Sequence, residues 1–503
     1  MSSITLDTLI TRATGNKEPS KLTVFPPSMV YELLNDPFKV WCDYHAPKAE
    51  AVDETSRYDE IVMQQGVEYE KEWVKKNHPD AVKIEPEFGI EALRNTLRAM
   101  LKGVPAIHAP QLWFLNGEIY GKGDLLIRSA SAPSDLGNFH YRVKEIKHSR
   151  KLQGYHILQA AMYNRVIGHI QGYLPPEVII VLWDSVEVVS YAEHDLEVDE
   201  LLSRWRQIRD GLIKSDPNKW DKTCSPWRIY ANKCLKEKMD LTLLPDVGPA
   251  GRSMLREKLG IDSIPDLYNF TLDELMEKLD GKAGTAAIYY HAQAYRLGKP
   301  ILALGTQFRI PRGRRHIYFD FETSDEVHPT EPPHVYLIGA WDAEKQQYIH
   351  FLGRGAGDEE RIFREFIEYV GDPEGCCLYH WTDFEIGEMR GVAERHPGIS
   401  KKLNALMKSC VDLKEVIKRQ VYLPVATYSI KLVAPFLGFC WRHEDVDAYE
   451  SMVLYWKYLD DGDESKIHKV LDYNEDDCKA MIYVDKKICN YFGIPFIIES
   501  VAN

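Results

Sequence analysis

No apolar run in this sequence approaches the ~20 residues that a membrane span requires, so nothing in it reads as a bilayer-crossing helix. Nor is there a compact, even set of cysteines. The nine, at 42, 224, 234, 376, 377, 410, 440, 478 and 489, are odd in number and scattered, which argues against a disulfide framework and for reduced thiols. Positive charge is also short: 62 Lys and Arg against 76 Asp and Glu leave a net charge of −14, the wrong sign for coating nucleic acid through the overall field. A local basic channel beside an acidic metal site is compatible with that sum. Two basic patches exist, Lys144, Lys147, His148, Arg150 and Lys151, and Arg309, Arg312, Arg314 and Arg315, although taken alone each is an ordinary solvated surface. There is no repeat of roughly 20–50 residues and no low-complexity tract. The polar N-terminus, MSSITLDTLITRATGNKEPSK, carries no secretory pattern, so the expected compartment is cytoplasmic, with no membrane partner.

A chain of 503 residues is too long for one hydrophobic core, and about 150 residues per domain suggests two to four units. Residues 1–27 form an N-terminal arm ending in Phe25-Pro26-Pro27. Residues 28–238 read as one α/β domain, with strands near 111–115, 118–128, 139–147 and 177–190 where β-branched and aromatic residues gather between Gly, Asn and Pro. The stretch 239–303 has no strand pattern and reads as a small all-α unit of short helices punctuated by glycines. A basic linker, 304–315, leads into 316–503, where strand-like runs at 316–322, 334–341, 347–352 and 376–381 are followed by helices, the pattern of a sheet with helices packed over it. The fold class expected is α/β multidomain.

The first chemical constellation lies in residues 28–238. Gly121-Lys122-Gly123-Asp124 puts a carboxylate at the start of an apolar strand, and Tyr141-Arg142-Val143-Lys144-Glu145-Ile146-Lys147 places Glu and Lys two apart on the next, where side chains i and i+2 share a face. Two carboxylates can hold a divalent cation with open water positions, while a lysine beside them helps orient the attacking water and stabilises charge on a phosphate. A strand ending in Glu-X-Lys is by itself a common surface pattern. Here it stands between Gly66-Val67-Glu68-Tyr69-Glu70 upstream and Gln159-Ala160-Ala161-Met162-Tyr163 downstream, the latter with Gln and Tyr on one helix face. In this order the four elements resemble the RecB-like branch of the PD-(D/E)XK nucleases, which includes the CRISPR-associated RecB-like exonucleases. The resemblance implies a restriction-endonuclease-like fold, Asp124 and Glu145 as ligands for one or two metal ions, Lys147 as catalytic, Glu70 as an auxiliary acid, and Gln159 and Tyr163 as support. Many members also carry an iron–sulfur cluster on four cysteines. This chain departs from them: Asp36 stands where the first ligand is expected and Trp227 replaces the second Cys of Cys224-Ser225-Pro226-Trp227, with Cys234 following and Cys42 displaced, so a cluster is not expected.

Between the two α/β regions, Leu243-Leu244-Pro245-Asp246-Val247-Gly248-Pro249-Ala250-Gly251 looks like a helix-hairpin-helix motif, with a weaker second copy near Gly281–Gly284. Such hairpins use glycine because backbone N–H groups must approach a phosphate closely, and a helix N-terminus favours an anion. Gly248 and Gly251 are the candidate contacts, joined by Arg312, Arg314 and Arg315 of the linker, and the binding is expected to be sequence-independent. Asp246 occupies the position usual for the hairpin's first glycine. A purely structural helical spacer is the alternative.

The second constellation begins at His316-Ile317-Tyr318-Phe319-Asp320-Phe321-Glu322-Thr323, a strand whose two carboxylates point the same way. Tyr379-His380-Trp381-Thr382-Asp383-Phe384-Glu385 then passes from strand into helix, and Tyr473-Asn474-Glu475-Asp476-Asp477 is expected to start a late helix with Tyr and Asp one turn apart. Acids converging from three elements can hold two divalent cations, which stabilise the attacking and leaving oxygens of an in-line phosphoryl displacement. The three segments in this order resemble the tyrosine-bearing DEDD exonucleases of the ribonuclease H-like superfold. That resemblance implies 3′→5′ exonuclease activity with Mg²⁺ or Mn²⁺, Asp320, Glu322 and Asp477 as ligands, and Tyr473 orienting water. Glu385 falls where the family has Asp, with Asp383 two residues before it as the alternative, and Ser429-Ile430-Lys431-Leu432-Val433-Ala434-Pro435 reads as a helix start beside the sheet.

Together the resemblances span roughly residues 28–490 and suggest a predicted RecB family nuclease acting on DNA, single-stranded or with free ends, in repair, recombination or defence. Two other readings stand beside it: a nucleic-acid-binding scaffold whose nuclease sites have decayed, favoured by Asp246, Glu385 and the missing cysteines, and an RNA-processing nuclease, since two-metal chemistry needs no deoxyribose.

Overall fold

Where β-branched and aromatic residues run without Gly or Pro the chain forms strands, and these pair into two main sheets in the computed structural model, which describes residues 4–325, 327 and 332–496. The chain divides into two compact units, one of Met1–Thr55 with Glu60–Ala231, the other of Ser56–Asp59 with Asn232–Asn503. Among the described residues no helix is long and apolar enough to cross a membrane.

The first unit carries β1 (Val82–Lys83), β2 (Ala106–His108), β3 (Gln111–Phe114), β4 (Ile119–Lys122), β5 (Leu125–Ser129), β6 (His140–Ile146), β7 (Glu177–Val181) and β8 (Val186–Ser190). Six of them form a sheet in the order β1-β2-β5-β6-β7-β8, and β3 pairs with β4 as a separate hairpin. β5 and β6 are antiparallel, whereas β6 and β7 are parallel. A parallel pair needs a crossover, and the helix Gly154–Gln171 supplies it. That helix is buried on most of its circumference, through Ala160, Ala161, Met162, Tyr163, Val166 and Ile167, which seats it on the sheet. The expected strand 118–128 is broken into β4 and β5, which belong to different sheets. The break falls at Gly123-Asp124, where Gly123 N–H donates to the Pro110 carbonyl at 3.0 Å and Asp124 N–H donates to Glu145 Oε1 at 3.3 Å instead of to a neighbouring strand. The expected strand 177–190 is likewise a hairpin, closed by Leu182 N–H to the Ser185 carbonyl at 2.8 Å. The N-terminal segment is built in rather than loose: Leu6–Thr14 is a helix whose Leu9 and Ala13 enter the core together with Phe25.

In the second unit, β10 (Arg315–Ser324), β11 (His334–Asp342), β12 (Gln347–Leu352), β13 (Cys376–His380) and β14 (Cys410–Asp412) form a sheet in the order β12-β11-β10-β13-β14, after a short β9 (Ile301–Leu302) that pairs with β15 (Val421–Tyr422). β12, β11 and β10 are antiparallel, and β10, β13 and β14 are parallel. Period-2 alternation splits β10 between two cores. Ile317, Phe319 and Phe321 pack with Phe363 and Phe366 of the helix Glu359–Val370, while Tyr318 joins Val484 and Ile488 of the helix Glu464–Tyr491. Asp320 and Glu322 share the face of Tyr318 and therefore look toward that long C-terminal helix. Tyr473–Asp477 lies in the middle of this helix, not at its start: Asp463 caps it through Ser465 N–H at 3.0 Å, well before Tyr473 in the chain.

The helices Pro249–Leu259, Leu272–Lys278 and Thr285–Leu297 belong to the second unit too. They are tied to it by the β9–β15 pairing and by the His291 ring nitrogen, which donates to the Leu423 carbonyl at 3.1 Å. The linker arginines reach partners within the fold. Arg312 makes a bidentate pair with buried Asp485 at 2.6 and 2.6 Å, and Arg315 pairs with buried Asp342 at 2.7 Å and donates to the Tyr369 and Val370 carbonyls. Each joins a buried aspartate that a tyrosine hydroxyl also meets, Tyr318 on Asp485 and Tyr369 on Asp342. Arg314, which donates to the Glu374 carbonyl at 3.3 Å, remains exposed.

Candidate active sites

In the second unit, carboxylate oxygens of Asp320, Glu322 and Asp477 all lie within 4.8 Å of one another, the one such group of three His, Cys, Asp or Glu among the described residues. Two come from adjacent same-face positions of β10 and the third from the C-terminal helix. Glu322 and Asp477 are buried. Burial, then the neighbouring Asp477, Glu322 and Glu385, drive the Asp320 carboxyl well above the usual carboxylate range. Burial and Asp477 push Glu322 up to about 8, and Asp477 is raised by burial with Lys431 pulling the other way. Lys431, in the first turn of the helix Ile430–Phe436 capped by Ser429, donates to Asp477 Oδ1 at 2.7 Å. Trp441 Nε1 donates to the same oxygen at 2.8 Å, and the Lys431 ammonium rests 4.1 Å from the Tyr473 ring centre and 4.2 Å from that of Trp441. Tyr473, buried one turn before Asp477, also opposes the rise of its carboxyl. Four acids facing one another with a single lysine reaching them form an uncompensated negative pocket, and a hard divalent cation on oxygen ligands is the group that fits it.

Glu385 and Asp383 separate clearly. Glu385 is buried, contributes to the upward shift of Asp320, and takes a hydrogen bond from Thr382 Oγ1 at 3.4 Å with His380 Nδ1 at 3.5 Å. It stands outside the 4.8 Å group of three. Asp383 is exposed and acts instead on Asp412. Residues that the local pattern did not single out complete the pocket. Asn474 donates to Asp320 and Glu322, Ser451 donates to Glu322 Oε2 at 3.0 Å, and Lys431 and Trp441 meet Asp477. The signal was present for Asn474 and Lys431, which sit inside Tyr473–Asp477 and Ser429–Pro435, but Ser451 and Trp441 come from stretches with no motif.

In the first unit, Glu145 is completely buried at the end of β6 and its Oε2 accepts from Lys147 Nζ at 2.9 Å and Gln159 Nε2 at 3.2 Å. Asp124 Oδ2 accepts from Ile146 N–H at 2.7 Å and lies 3.7 Å from Lys147 Nζ. Tyr163 donates to the Lys122 carbonyl at 2.8 Å, which pins the strand end that carries Asp124. Gly121 has no room for a side chain there, since a Cβ would stand 2.7 Å from the Tyr163 hydroxyl. Burial, then Glu145 and, further down, Glu70, raise Asp124 well above its ordinary value. Burial draws the Lys147 ammonium down, but Glu145 and Asp124 outweigh it and the net shift is upward, so the lysine is held charged. Glu70, on the helix Arg57–Asn77, meets the ring of His108 at 2.9 Å. His156, held down to about 4 by burial and by Lys147, is a neutral neighbour that sequence reasoning missed; it missed the Glu70 partner His108 as well.

The positions expected of a cluster ligand set do not fit one. Asp36 Oδ2 accepts from Cys224 N–H at 2.7 Å, Asp36 caps the helix Pro37–His45 through Lys39 N–H, and buried Trp227 donates through Nε1 to Asp43 at 2.8 Å. Burial, with Asp36 and Glu32, pushes the Cys224 thiol up to about 11, opposite to what a thiolate ligand needs.

In the segment 239–303, Asp246 adopts φ +65°, the left-handed region where glycine is usual, and its charge is met by Lys418 at 2.8 Å. Gly248 precedes the helix Pro249–Leu259 with open space where a side chain would project, whereas a Cβ on Gly251 would press on Val247 at 3.2 Å.

No curated protein matches the chain. Residues 317–489, from β10 into the C-terminal helix and spanning Asp320, Glu322, Glu385, Lys431, Tyr473 and Asp477, match the family model described as the RNase_H superfamily. This match supports a ribonuclease H-like domain over these residues, and with it a nuclease-type hydrolase with a nucleic acid substrate whose acidic group could hold a metal ion.

Proposed function

We propose that the chain is a Mg²⁺- or Mn²⁺-dependent DNA nuclease with two sites: a 3′→5′ exonuclease in residues 316–503 and a RecB-like PD-(D/E)XK site in residues 28–238, served by a helix-hairpin-helix segment at 239–303 that contacts the backbone through Gly248 and Gly251. The observation that carries it is the convergence of Asp320, Glu322 and Asp477 within 4.8 Å inside a domain of a nuclease superfamily. Those three residues, with Glu385 beside Asp320, hold the metal, which when bound supplies charge stabilisation for phosphoryl displacement. Tyr473 holds and aims the water through a hydroxyl that burial and the surrounding acids keep protonated. Lys431 orients Asp477 and opposes the rise that burial causes, and its ammonium is a cation at hand for a substrate phosphate. At the first site, Asp124 and Glu145 hold metal, Lys147 is kept charged against them, Gln159 and Tyr163 fix the two strand ends, and Glu70 works through His108.

The experiment is digestion of parallel end-labelled single- and double-stranded DNA and RNA by the purified protein with Mg²⁺, Mn²⁺ or chelator. Metal-dependent shortening of DNA is expected. Cleavage of RNA alone would move the substrate class, and binding without cleavage of either would return the chain to a scaffold.

A further inference from the structure

Asn474 is fully buried on the C-terminal helix, between Tyr473 and Asp477. Its Nδ2 donates to Asp320 Oδ2 at 3.0 Å and to Glu322 Oε1 at 3.3 Å, with the Asp320 carbonyl at 3.4 Å. One amide thus spans both β10 carboxylates, and its two protons are fully used. The other end is fixed as well: Asn474 Oδ1 accepts from the Tyr348 hydroxyl of β12 at 2.8 Å, while Nδ2 faces the acceptor oxygens of the acids. The space it occupies is opened by a missing side chain. Gly339 on β11 lies opposite Asp320 on β10 and His350 on β12, and a Cβ there would land on Asn474 Oδ1 and stand 2.8 Å from the Tyr348 hydroxyl. Three residues from three elements therefore agree on one amide position, and that position touches two of the three acids of the group.

We propose that Asn474 is a positioning residue for the metal-holding carboxylates: anchored by Tyr348 and admitted by Gly339, its amide sets the spacing and aim of Asp320 and Glu322 and so the affinity of the site for a divalent ion. The inference rests on reading Asp320, Glu322 and Asp477 as a metal site. Partners that orient ligand carboxylates typically change metal affinity by about 10–100-fold when removed.

The test is calorimetric titration of Mn²⁺ into the full chain, in an Asp124→Ala background that silences the other carboxylate site, with Asp320→Ala as the reference that removes the binding event. Asn474→Ala is expected to weaken Mn²⁺ binding by about 10–100-fold, with exonuclease activity recovering as Mn²⁺ is raised. Tyr348→Phe, which removes one hydroxyl and no volume, is expected to weaken it in the same direction by less. Gly339→Ala is expected to match Asn474→Ala when introduced alone and to add under about two-fold in the Asn474→Ala background, because both act through the same amide. A general packing defect would add in full and would lower thermal stability instead. Mn²⁺ affinity unchanged in both Asn474→Ala and Tyr348→Phe, while Asp320→Ala abolishes it, would overturn the positioning role. Binding that survives Asp320→Ala would overturn the metal-site reading itself.

Discussion

At the scale of single residues, the second-unit site is governed by where its protons sit. Glu322 is raised from an ordinary 4.5 to about 8 by burial and Asp477, and Asp320 and Asp477 shift the same way. A carboxyl whose folded-state value lies above its unfolded one favours folding fully below the unfolded value, and that contribution is lost as pH rises through the folded one. Without metal, the second unit is therefore expected to lose thermal stability between pH 4.5 and about 8, and Mn²⁺ is expected to restore it increasingly over the same interval because the ion competes with the protons. Melting curves across that range, with and without Mn²⁺, check this; stability that rises with pH in the metal-free protein would contradict it. The two neighbouring acids should also part company. Glu385→Gln, which removes a buried charge beside Asp320, is expected to lower turnover by about 10²-fold, whereas exposed Asp383→Asn should stay within about two-fold. Single-turnover rates on one labelled substrate separate them.

At the scale of elements, the helix Ile430–Phe436 exists to deliver Lys431. It is only seven residues long, too short to be stable alone, and depends on the Ser429 cap, whose hydroxyl oxygen accepts from Lys431 N–H at 3.2 Å. Ser429→Ala is expected to cost about 1 kcal/mol locally, read as faster amide exchange confined to 430–436. The strands that frame the site were legible because their period-2 pattern is local: β10, β11, β12 and β13 fall within a residue or two of the runs at 316–322, 334–341, 347–352 and 376–381. The same rule misread 118–128 and 177–190 by running strands through Gly121-Lys122-Gly123-Asp124 and Trp183-Asp184-Ser185, whose glycines and aspartates were the local signal for a break. At Gly123-Asp124 that break is held by long-range hydrogen bonds to Pro110 and Glu145. The late helix was dated too late for a similar reason, since its start depends on the Asp463 cap rather than on the acids that carry the chemistry. Side chains such as Ser451, Trp441 and His108 were invisible because they join their sites across the chain without a shared period, whereas Asp320, Glu322 and Asp477 were legible as acids at spacings that strands and helices bring to one face. The pairing of Arg312 and Arg315 with Asp485 and Asp342 was not legible, because these partners lie in other elements of the sequence.

At the scale of the whole molecule, each compact unit contains one complete carboxylate–lysine arrangement drawn from its own residues: Asp124, Glu145 and Lys147 in the first, Asp320, Glu322, Asp477 and Lys431 in the second. Sites with no shared partners lose function independently. Asp320→Ala is therefore expected to abolish stepwise digestion from 3′ ends while leaving the activity that Lys147→Ala removes, and the double variant should show neither; linear and covalently closed substrates distinguish the two. A net charge of −14 adds that productive binding must come from local features rather than the overall field. The most direct measurement is the time course of a 5′-end-labelled linear single-stranded DNA incubated with the full-length protein and with Asp320→Ala, in Mg²⁺, Mn²⁺ or chelator. A descending ladder from the 3′ end that requires metal and vanishes in Asp320→Ala is the expected result; the same ladder at the same rate in Asp320→Ala, or undiminished by chelator, would contradict it.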